Sequence, residues 1–215
     1  MLVGVGLGPG NPELITLKAV KTLKESYKVF AAGTLAASIV EPYVKCEVLH
    51  FPMTKDEDSL NESWVKNAEI IVKDAKDRLV SFACLGDPNF FSTFNKVRAI
   101  IEIKYPEIEI STVPGVSSIT AFASKANVMI NESFEVIDGS PILSKIVLKV
   151  REPKKLAEVL EREGYCGFIL VERIGMEGER VIMNKMPPKS NYLSILYATK
   201  SGVKDMVGLI NGEKF

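Results

Sequence analysis

Short runs of β-branched and other apolar residues alternate with longer amphipathic runs along the first half of the chain. Apolar residues recur at three- and four-residue intervals between residues 14 and 23, 60 and 75, and 94 and 104, which is the spacing of one helix face. The apolar runs predict strands over residues 2–7, 29–32, 46–51, 79–85 and 108–113. Strands that alternate with helices predict a parallel, doubly wound sheet with right-handed crossovers.

A different pattern follows. The sequence predicts a helix over residues 117–125 and another between Pro153 and Gly164, with proline near its start and glycine just past its end. Strands are predicted over residues 134–137, 146–150, 168–172, 179–183 and 192–199. Because little helix separates the last three, we expect a mixed or antiparallel second sheet. The predicted domains are residues 1–113 and 114–215, both of the α/β class, and we expect them to pack together because no Gly/Ser linker separates them.

Composition narrows the class of protein. The 215 residues are 47% hydrophobic and 25% charged, as in an ordinary globular protein, and 27 basic residues balance 27 acidic ones. A formal charge of zero argues against a general nucleic-acid binder. It leaves open a local basic pocket for an acidic small molecule.

The cysteines favour a reducing compartment, and the apolar runs argue against a membrane span. Cys46, Cys84 and Cys166 are far apart and form no CxxC pair, so we expect neither a disulfide framework nor a zinc site, and a reducing cytoplasm. The first residues do not read as a signal peptide. The apolar stretch 30–40 is too short and too polar for a membrane span.

A glycine-rich segment, Gly4-Val5-Gly6-Leu7-Gly8-Pro9-Gly10, ends the first predicted strand. It lacks the lysine of a phosphate-binding loop, and the GxGxxG dinucleotide pattern fails at its third glycine. A GxGxG match to Rossmann-type methyltransferases remains, but no acidic residue ends the second strand to hold a ribose. A tight strand–helix turn that touches nothing is the alternative.

Two further turns follow predicted strands. Gly86-Asp87-Pro88 lies at the carboxyl end of the clearest strand, where open α/β sheets bind ligands. Pro114-Gly115-Val116-Ser117-Ser118 opens a predicted helix, whose positive end and hydroxyl groups suit a polar ligand. Taken alone, each turn is explained as well by helix capping, through Asp87 and through the serines.

The remaining candidate residues give little indication of a functional role. The single histidine, His50, and the single tryptophan, Trp64, are explained as structural residues, with Trp64 on an apolar helix stripe. The run Asp56-Glu57-Asp58 suits a helix start rather than a metal.

Together, in this order and spacing, the three turns resemble the tetrapyrrole (corrin and porphyrin) methylase family, over nearly the whole chain. The family pattern is GxGPG, GDP and PG[VI][ST]S. Within the family, Phe51-Pro52-Met53 and Phe91-Ser92-Thr93-Phe94 are similar to enzymes that methylate carbon 20 of precorrin-2 or cobalt-factor II. Val171-Glu172-Arg173 is similar to one of their second-domain strands.

The resemblance implies two α/β domains with a ligand cleft between them, and a homodimer. It implies that S-adenosyl-L-methionine is bound largely by main-chain groups and leaves as S-adenosyl-L-homocysteine. Carried over residue by residue, the cofactor positions are Pro9, Leu85, Gly86, Asp87, Phe90, Ser117, Ser118, Val150 and Ile174.

The resemblance also implies a tetrapyrrole substrate with eight carboxylates, with Gly8, Gly10, Asn11 and Arg173 as substrate positions. Lys18 and Lys55 are further cations that could meet carboxylates, although each is explained as well by solvent exposure. Many relatives carry Asp where this chain has Asn11, so no catalytic base is named. Neither a metal, a nucleic acid nor a membrane is expected as a partner.

Three alternatives stay open from the sequence. A methylase of the same family acting at carbon 11, 17 or 5/15 would keep every motif. A protein that binds adenosylmethionine without transferring its methyl group fits the replacement by Asn11. A nucleotide-dependent oxidoreductase is disfavoured by the broken GxGxxG pattern.

Overall fold

The structure is a computed structural model that describes residues 1–51 and 57–201. Contacts divide the chain into two compact units, residues 1–133 and 134–215. The boundary predicted from the strand order lies earlier, after residue 113, at the end of the last strand of the first sheet.

The first unit contains a five-stranded sheet in the order β3-β2-β4-β1-β5, parallel at every pairing. The strands are β1 (Leu2–Gly6), β2 (Lys28–Ala32), β3 (Glu47–Leu49), β4 (Val80–Cys84) and β5 (Ile110–Val113). The helices are α1 (Leu17–Glu25), α2 (Thr34–Val40), α3 (Glu57–Ala75), α4 (Thr93–Lys104) and α5 (Ser118–Lys125).

Helices cover both faces of this sheet, which confirms the doubly wound prediction. Leu2, Phe30 and Phe82 point to the face where α3 and α4 contribute Trp64 and Phe94. On the other face, strand residues pack against side chains of α1 and α2; this cluster includes Val3, Val5, Val29, Ala31, Leu23, Ala36 and Ile39. Burial on both faces explains why β1 and β4 are apolar runs with every residue buried.

Local side chains and glycine mark the starts and ends of the helices. Thr16 caps α1 by accepting a hydrogen bond from the Ala19 N–H, and Ser92 caps α4 through the Phe94 N–H. In the second unit, α6 (Pro153–Arg162) begins at a proline, and Gly164 follows its end with φ +90°.

The second unit contains a four-stranded sheet in the order β6-β9-β7-β8. Its strands are β6 (Ser144–Leu148), β7 (Gly167–Glu172), β8 (Arg180–Met183) and β9 (Ser194–Thr199). The mixed sheet expected here is antiparallel at every described pairing, because β9 lies between β6 and β7 and runs opposite to both. α6 covers one face with Ala157 and Leu160, against Leu170 and Leu196.

Two strand predictions in this half are corrected. Residues 134–137, predicted as a strand, are irregular and exposed; strand-forming residue types are not enough without a partner strand. The strand predicted over 146–150 is β6, which ends at Leu148 because Lys149 takes a left-handed φ of +58°. No helix in the described part of the chain combines the length and apolar character needed to cross a membrane.

Candidate functional site

The three predicted turns lie side by side at the carboxyl edge of the first sheet. They follow β1, β4 and β5, which are neighbours in the sheet, and parallel strands end at the same edge. Gly8 and Gly86 exchange two backbone hydrogen bonds: the Gly8 N–H donates to the Gly86 oxygen at 3.3 Å, and the Gly86 N–H donates to the Gly8 oxygen at 2.7 Å. The first two turns are therefore one hydrogen-bonded unit.

The third turn is joined to the second by the carboxylate of Asp87, which is 8% exposed. Its Oδ2 accepts from the Gly115 N–H at 3.1 Å, and its Oδ1 accepts from the Asn89 N–H at 2.9 Å. The Asn89 side chain adds a bond to Thr112 Oγ1 on β5 at 3.2 Å. Asp87 therefore connects the turns, whereas the cap of α4 that the sequence offered it is supplied by Ser92.

Two glycines allow the turns to approach this closely. A Cβ added to Gly6 would lie 2.5 Å from the Gly115 nitrogen and 2.7 Å from the Gly86 oxygen. A Cβ on Gly115 would meet the Gly86 oxygen at still shorter range. Any side chain at either position would push the turns apart.

Gly10 and Gly86 face open space beside the turns. Gly10 and Gly86 have φ of +130° and +67°, and a Cβ built on either meets no described atom within 4 Å. Leu85 and Phe90, beside Gly86, are 39% and 47% exposed. The turns thus present peptide groups and apolar side chains to open space, which fits a ligand held mainly by main-chain contacts.

Ser117 begins the helix behind the third turn. Its hydroxyl accepts a hydrogen bond from the Ile119 N–H at 3.2 Å and caps α5, while Ser118 is exposed in the first turn of that helix. Asn11 has a similar local role, since its Oδ1 accepts from the Glu13 N–H at 3.0 Å and caps the 3₁₀ turn Pro12–Leu14.

Cys84, at the end of β4, lies beneath the second turn. Burial raises the pKa of its thiol to about 11, against the opposing effect of a hydrogen bond from Ser92 Oγ at 3.3 Å. The thiol is therefore protonated at neutral pH and packs as an apolar group.

The remaining predicted positions, Val150, Arg173 and Ile174, lie at one edge of the second sheet. Val150 is buried in the core of that unit, and its N–H donates to the Ser194 oxygen at 3.1 Å. Arg173 has a left-handed φ of +56°, its N–H donates to the Leu193 oxygen at 2.8 Å, and Ile174 beside it is 54% exposed.

A buried carboxylate lies at the same edge. Glu172 is 2% exposed; it accepts hydrogen bonds from Arg180 Nε at 2.8 Å and from the Asn191 N–H at 3.1 Å. Burial alone would raise the pKa of Glu172, but these hydrogen bonds and the charge of Arg180 outweigh it and lower the pKa below its usual value.

Comparison with known proteins identifies the architecture. Residues 1–187 match the family model described as Tetrapyrrole (Corrin/Porphyrin) Methylases. This chain belongs to the tetrapyrrole methylase family. It is 32% identical over 204 residues to a protein of Methanocaldococcus jannaschii named probable cobalt-precorrin-2 C(20)-methyltransferase, which covers 85% of this chain and 86% of the relative.

A second relative within the tetrapyrrole methylases is the cobalt-precorrin-2 C(20)-methyltransferase of Salmonella typhimurium, 35% identical over 139 residues, 58% of this chain and 56% of the relative. Among solved structures, a cobalamin synthesis related protein (CobF) from Corynebacterium diphtheriae superposes with a TM-score of 0.50 at 13% identity, over 93% of this chain and 98% of that one. This likeness supports the fold alone.

The other candidate residues lie apart from the three turns or outside the description. Trp64 is buried in the core, as predicted, and His50 is exposed, with its backbone oxygen accepting from Asn67 Nδ2. Lys18 is an exposed residue of α1. Lys55, Pro52, Met53 and Asp56 lie outside the described residues.

Sequence reasoning missed three side chains at the second-sheet edge. It gave no role to Glu172, Arg180 or Lys189. The predicted strands 168–172 and 179–183 did contain one indication. If they form a hairpin, as they do here, the acidic Glu172 pairs with the basic Arg180.

Proposed function

We propose that this protein is an S-adenosyl-L-methionine-dependent C-methyltransferase that methylates carbon 20 of precorrin-2 or cobalt-factor II in cobalamin biosynthesis. The observation that carries the proposal is the joining of three glycine turns at one sheet edge, in a chain of the tetrapyrrole methylase family. The names of the two relatives described above support the choice of carbon 20.

The proposed cofactor positions in the first unit are Pro9, Leu85, Gly86, Asp87, Phe90, Ser117 and Ser118, with Val150 and Ile174 in the second. When bound, the cofactor supplies a methyl group already activated by its sulfonium. Open space beside Gly86 and the exposure of Leu85 and Phe90 support binding through peptide groups and apolar side chains.

The protein's contribution is then mainly to position the reacting groups, which can supply several kcal/mol of barrier lowering, about 7–11 in favourable cases. Gly8, Gly10 and Asn11 are the proposed substrate positions of the first turn. Each oxygen of Asp87 accepts a hydrogen bond from a backbone N–H group, and the Asn11 amide has no basic oxygen. We therefore assign Asp87 to connecting the second and third turns and Asn11 to capping the 3₁₀ turn, and we propose neither as the catalytic base.

We also propose a homodimer in a reducing, cytoplasmic setting. Three free cysteines support the compartment, since one is buried and none is paired among the described residues. Exposed apolar side chains along residues 122–148 support self-association.

The test is a labelling experiment. The purified protein is incubated with methyl-labelled adenosylmethionine and either precorrin-2 or cobalt-factor II, and the label is located by NMR and mass spectrometry. One added methyl group at carbon 20 is expected. Methylation of later intermediates at carbon 11, 17 or 5/15 would reassign the position, and cofactor binding without turnover would indicate a binding protein.

A pair of variants tests the cofactor positions. Gly86→Val places a side chain at a left-handed position in open space beside the proposed cofactor, and it is expected to abolish cofactor binding. Gly164→Val is the matched control, because Gly164 also has a positive φ and open space but caps α6 in the second unit. Both should lose some stability; equal cofactor affinity in the two variants would contradict the proposal.

A further inference from the structure

An open depression of about 370 Å³ lies at the edge of the second sheet, beside Arg173. Seven residues line it, all in the second unit: Glu172, Arg173, Gly178, Arg180, Lys189, Ser190 and Asn191. Three of these side chains are cationic and one is a carboxylate. The lining itself therefore carries a net positive charge, while Glu177 and Glu179 flank Gly178 in the loop beside it.

The single carboxylate does not neutralise the depression, because it is buried beneath it. Glu172 points inward and accepts from the Nε and Nη2 atoms of Arg180 and from the Asn191 N–H. The Arg180 side chain remains 66% exposed. A guanidinium group has five N–H donors, so this pairing leaves others directed away from Glu172.

The other two cations face solvent. Arg173 lies over Gly178, where a Cβ would come within 3.3 Å of its Nη1 atom, so the absence of a side chain makes room for the guanidinium group. Within the described residues, neither Arg173 nor Lys189 forms an ion pair. Beside the depression, the Arg151 guanidinium lies 5.2 Å from the ring centre of Tyr192, which adds a fourth positive group nearby.

We propose that this depression binds carboxylate groups of the tetrapyrrole substrate, with Arg173, Arg180 and Lys189 as donors and Glu172 as the positioning residue for Arg180. The inference rests on the proposed function, in which Arg173 is already a substrate position, and it adds roles for Glu172, Arg180 and Lys189. Guanidinium groups suit the purpose because they bind carboxylates through two parallel hydrogen bonds. The volume fits one or two acidic arms, so the depression recognises the periphery of the substrate and not the reacting carbon.

Burying Glu172 has a physical reason under this proposal. A carboxylate out of water is costly unless it is paired and hydrogen-bonded. Here it is paired with a cation that stays exposed, which fixes the plane of the Arg180 guanidinium at the rim. An isolated surface arginine would lose more side-chain entropy when it binds an anion.

The first experiment measures steady-state kinetics of Arg173→Gln, Lys189→Gln and the double variant. Both residues are exposed, so these substitutions are expected to leave the fold intact. The KM for the tetrapyrrole is expected to rise about tenfold for each single variant, and more for the double variant, since bonds to charged groups are strong. The KM for adenosylmethionine and kcat should change less than about twofold. The matched control is Lys155→Gln, which removes the same charge from exposed α6 and should behave as the wild type.

A rise in the KM for adenosylmethionine instead of the tetrapyrrole would overturn the proposal, because the carboxylate recognised would then be the cofactor's. Unchanged kinetics in the double variant would overturn it as well. Glu172→Gln tests the positioning role. The KM for the tetrapyrrole should rise while kcat is retained, whereas loss of a merely structural residue would lower stability and leave the KM of the folded enzyme unchanged.

A second experiment separates this inference from the proposed function. Binding of uroporphyrin, which carries eight carboxylates, is followed by its fluorescence at two salt concentrations. The double variant should bind at least thirtyfold more weakly than the wild type, with a smaller salt dependence. If the wild type methylates neither proposed substrate but this loss of binding is seen, the proposed function is wrong and the carboxylate-binding role of the depression is supported. Equal binding by all variants would overturn that role, whatever the enzyme methylates.

Discussion

At the scale of single residues, one carboxylate holds two of the three turns in place. Asp87 accepts from the Gly115 N–H, 28 positions along the chain, and from the nearby Asn89 N–H. Removing a buried acceptor leaves its donors without partners, which costs about 1–3 kcal/mol for each buried group. The connection between the second and third turns therefore depends on one side chain, which is also a proposed cofactor position.

We expect Asp87→Ala to lower the free energy of unfolding by about 1–3 kcal/mol and to weaken cofactor binding, because the third turn loses its connection to the second. Asp87→Asn keeps an acceptor oxygen and should lie between this variant and the wild type. Urea unfolding and calorimetric titration with S-adenosylhomocysteine measure the two effects. Wild-type stability and affinity in Asp87→Ala would show that the connection is dispensable.

The three cysteines should react with iodoacetamide in an order set by burial. Burial raises the pKa of Cys84 to about 11, and burial together with the charge of Glu41 raises that of Cys46, so both thiols are less ionised at pH 8. Cys166 is exposed and should be alkylated first, with Cys84 last. Peptide mass spectrometry over time gives the order. Protein unfolded in guanidinium is the control, in which the three rates should converge; native Cys84 reacting as fast as Cys166 would refute the assignment.

At the scale of elements, the contact between β1 and α4 explains a glycine inside a buried strand. A Cβ on Gly4 would lie 2.5 Å from the ring of Phe94, which is fully buried. The first glycine of the GxGxG pattern thus serves helix packing, while Gly6 and Gly8 serve the turns.

We expect Gly4→Ala to destabilise the protein by about 1–3 kcal/mol, because the buried ring cannot move away freely. In a Phe94→Leu background the same change should cost less, since the smaller side chain leaves room. A double-mutant cycle from urea unfolding measures this coupling. Additive effects would mean that the contact does not limit the packing.

Elements with strong local signals could be predicted from the sequence. The five strands of the first sheet lie close to the ranges predicted from the apolar runs. The helix α6 lies between Pro153 and Gly164, as predicted. By contrast, α2 was not predicted, because its small residues Ala36 and Ala37 and its polar Thr34 and Ser38 hide the apolar face that Ile39 and Val40 complete.

Elements that depend on distant partners could not be predicted. Residues 134–137 have the composition of a strand, but nothing local shows that no strand pairs with them. β9 begins at Ser194, two residues later than predicted, because the Asn191 side chain accepts from the Leu193 N–H and forms a turn there. The site divides in the same way: the motifs marked the turns, while the Asp87–Gly115 bond joins residues that only the fold brings together.

At the scale of the whole molecule, exposed apolar side chains concentrate in one stretch of the chain. Large apolar residues that are more than two-fifths exposed within it are Phe122, Val128, Met129, Ile130, Phe134, Val136, Ile137, Ile142, Leu143, Ile146 and Leu148. Scattered single residues of this kind are ordinary, whereas apolar residues that are contiguous on the surface are typical of an interaction site. Charge substitutions within this stretch test whether its residues form such a site.

If that stretch forms the contact between two copies of the chain, charges within it should prevent association. The double variant Met129→Glu and Ile137→Glu is expected to sediment as a monomer at concentrations where the wild type is a dimer, because a stable interface of about 800 Å² per partner tolerates few buried, unpaired charges. Leu17→Glu is the control: Leu17 is 91% exposed on α1, outside the stretch, and its replacement should leave the dimer intact. A double variant that remains dimeric would place the interface elsewhere, and a wild type that is monomeric throughout would remove the homodimer from the proposal.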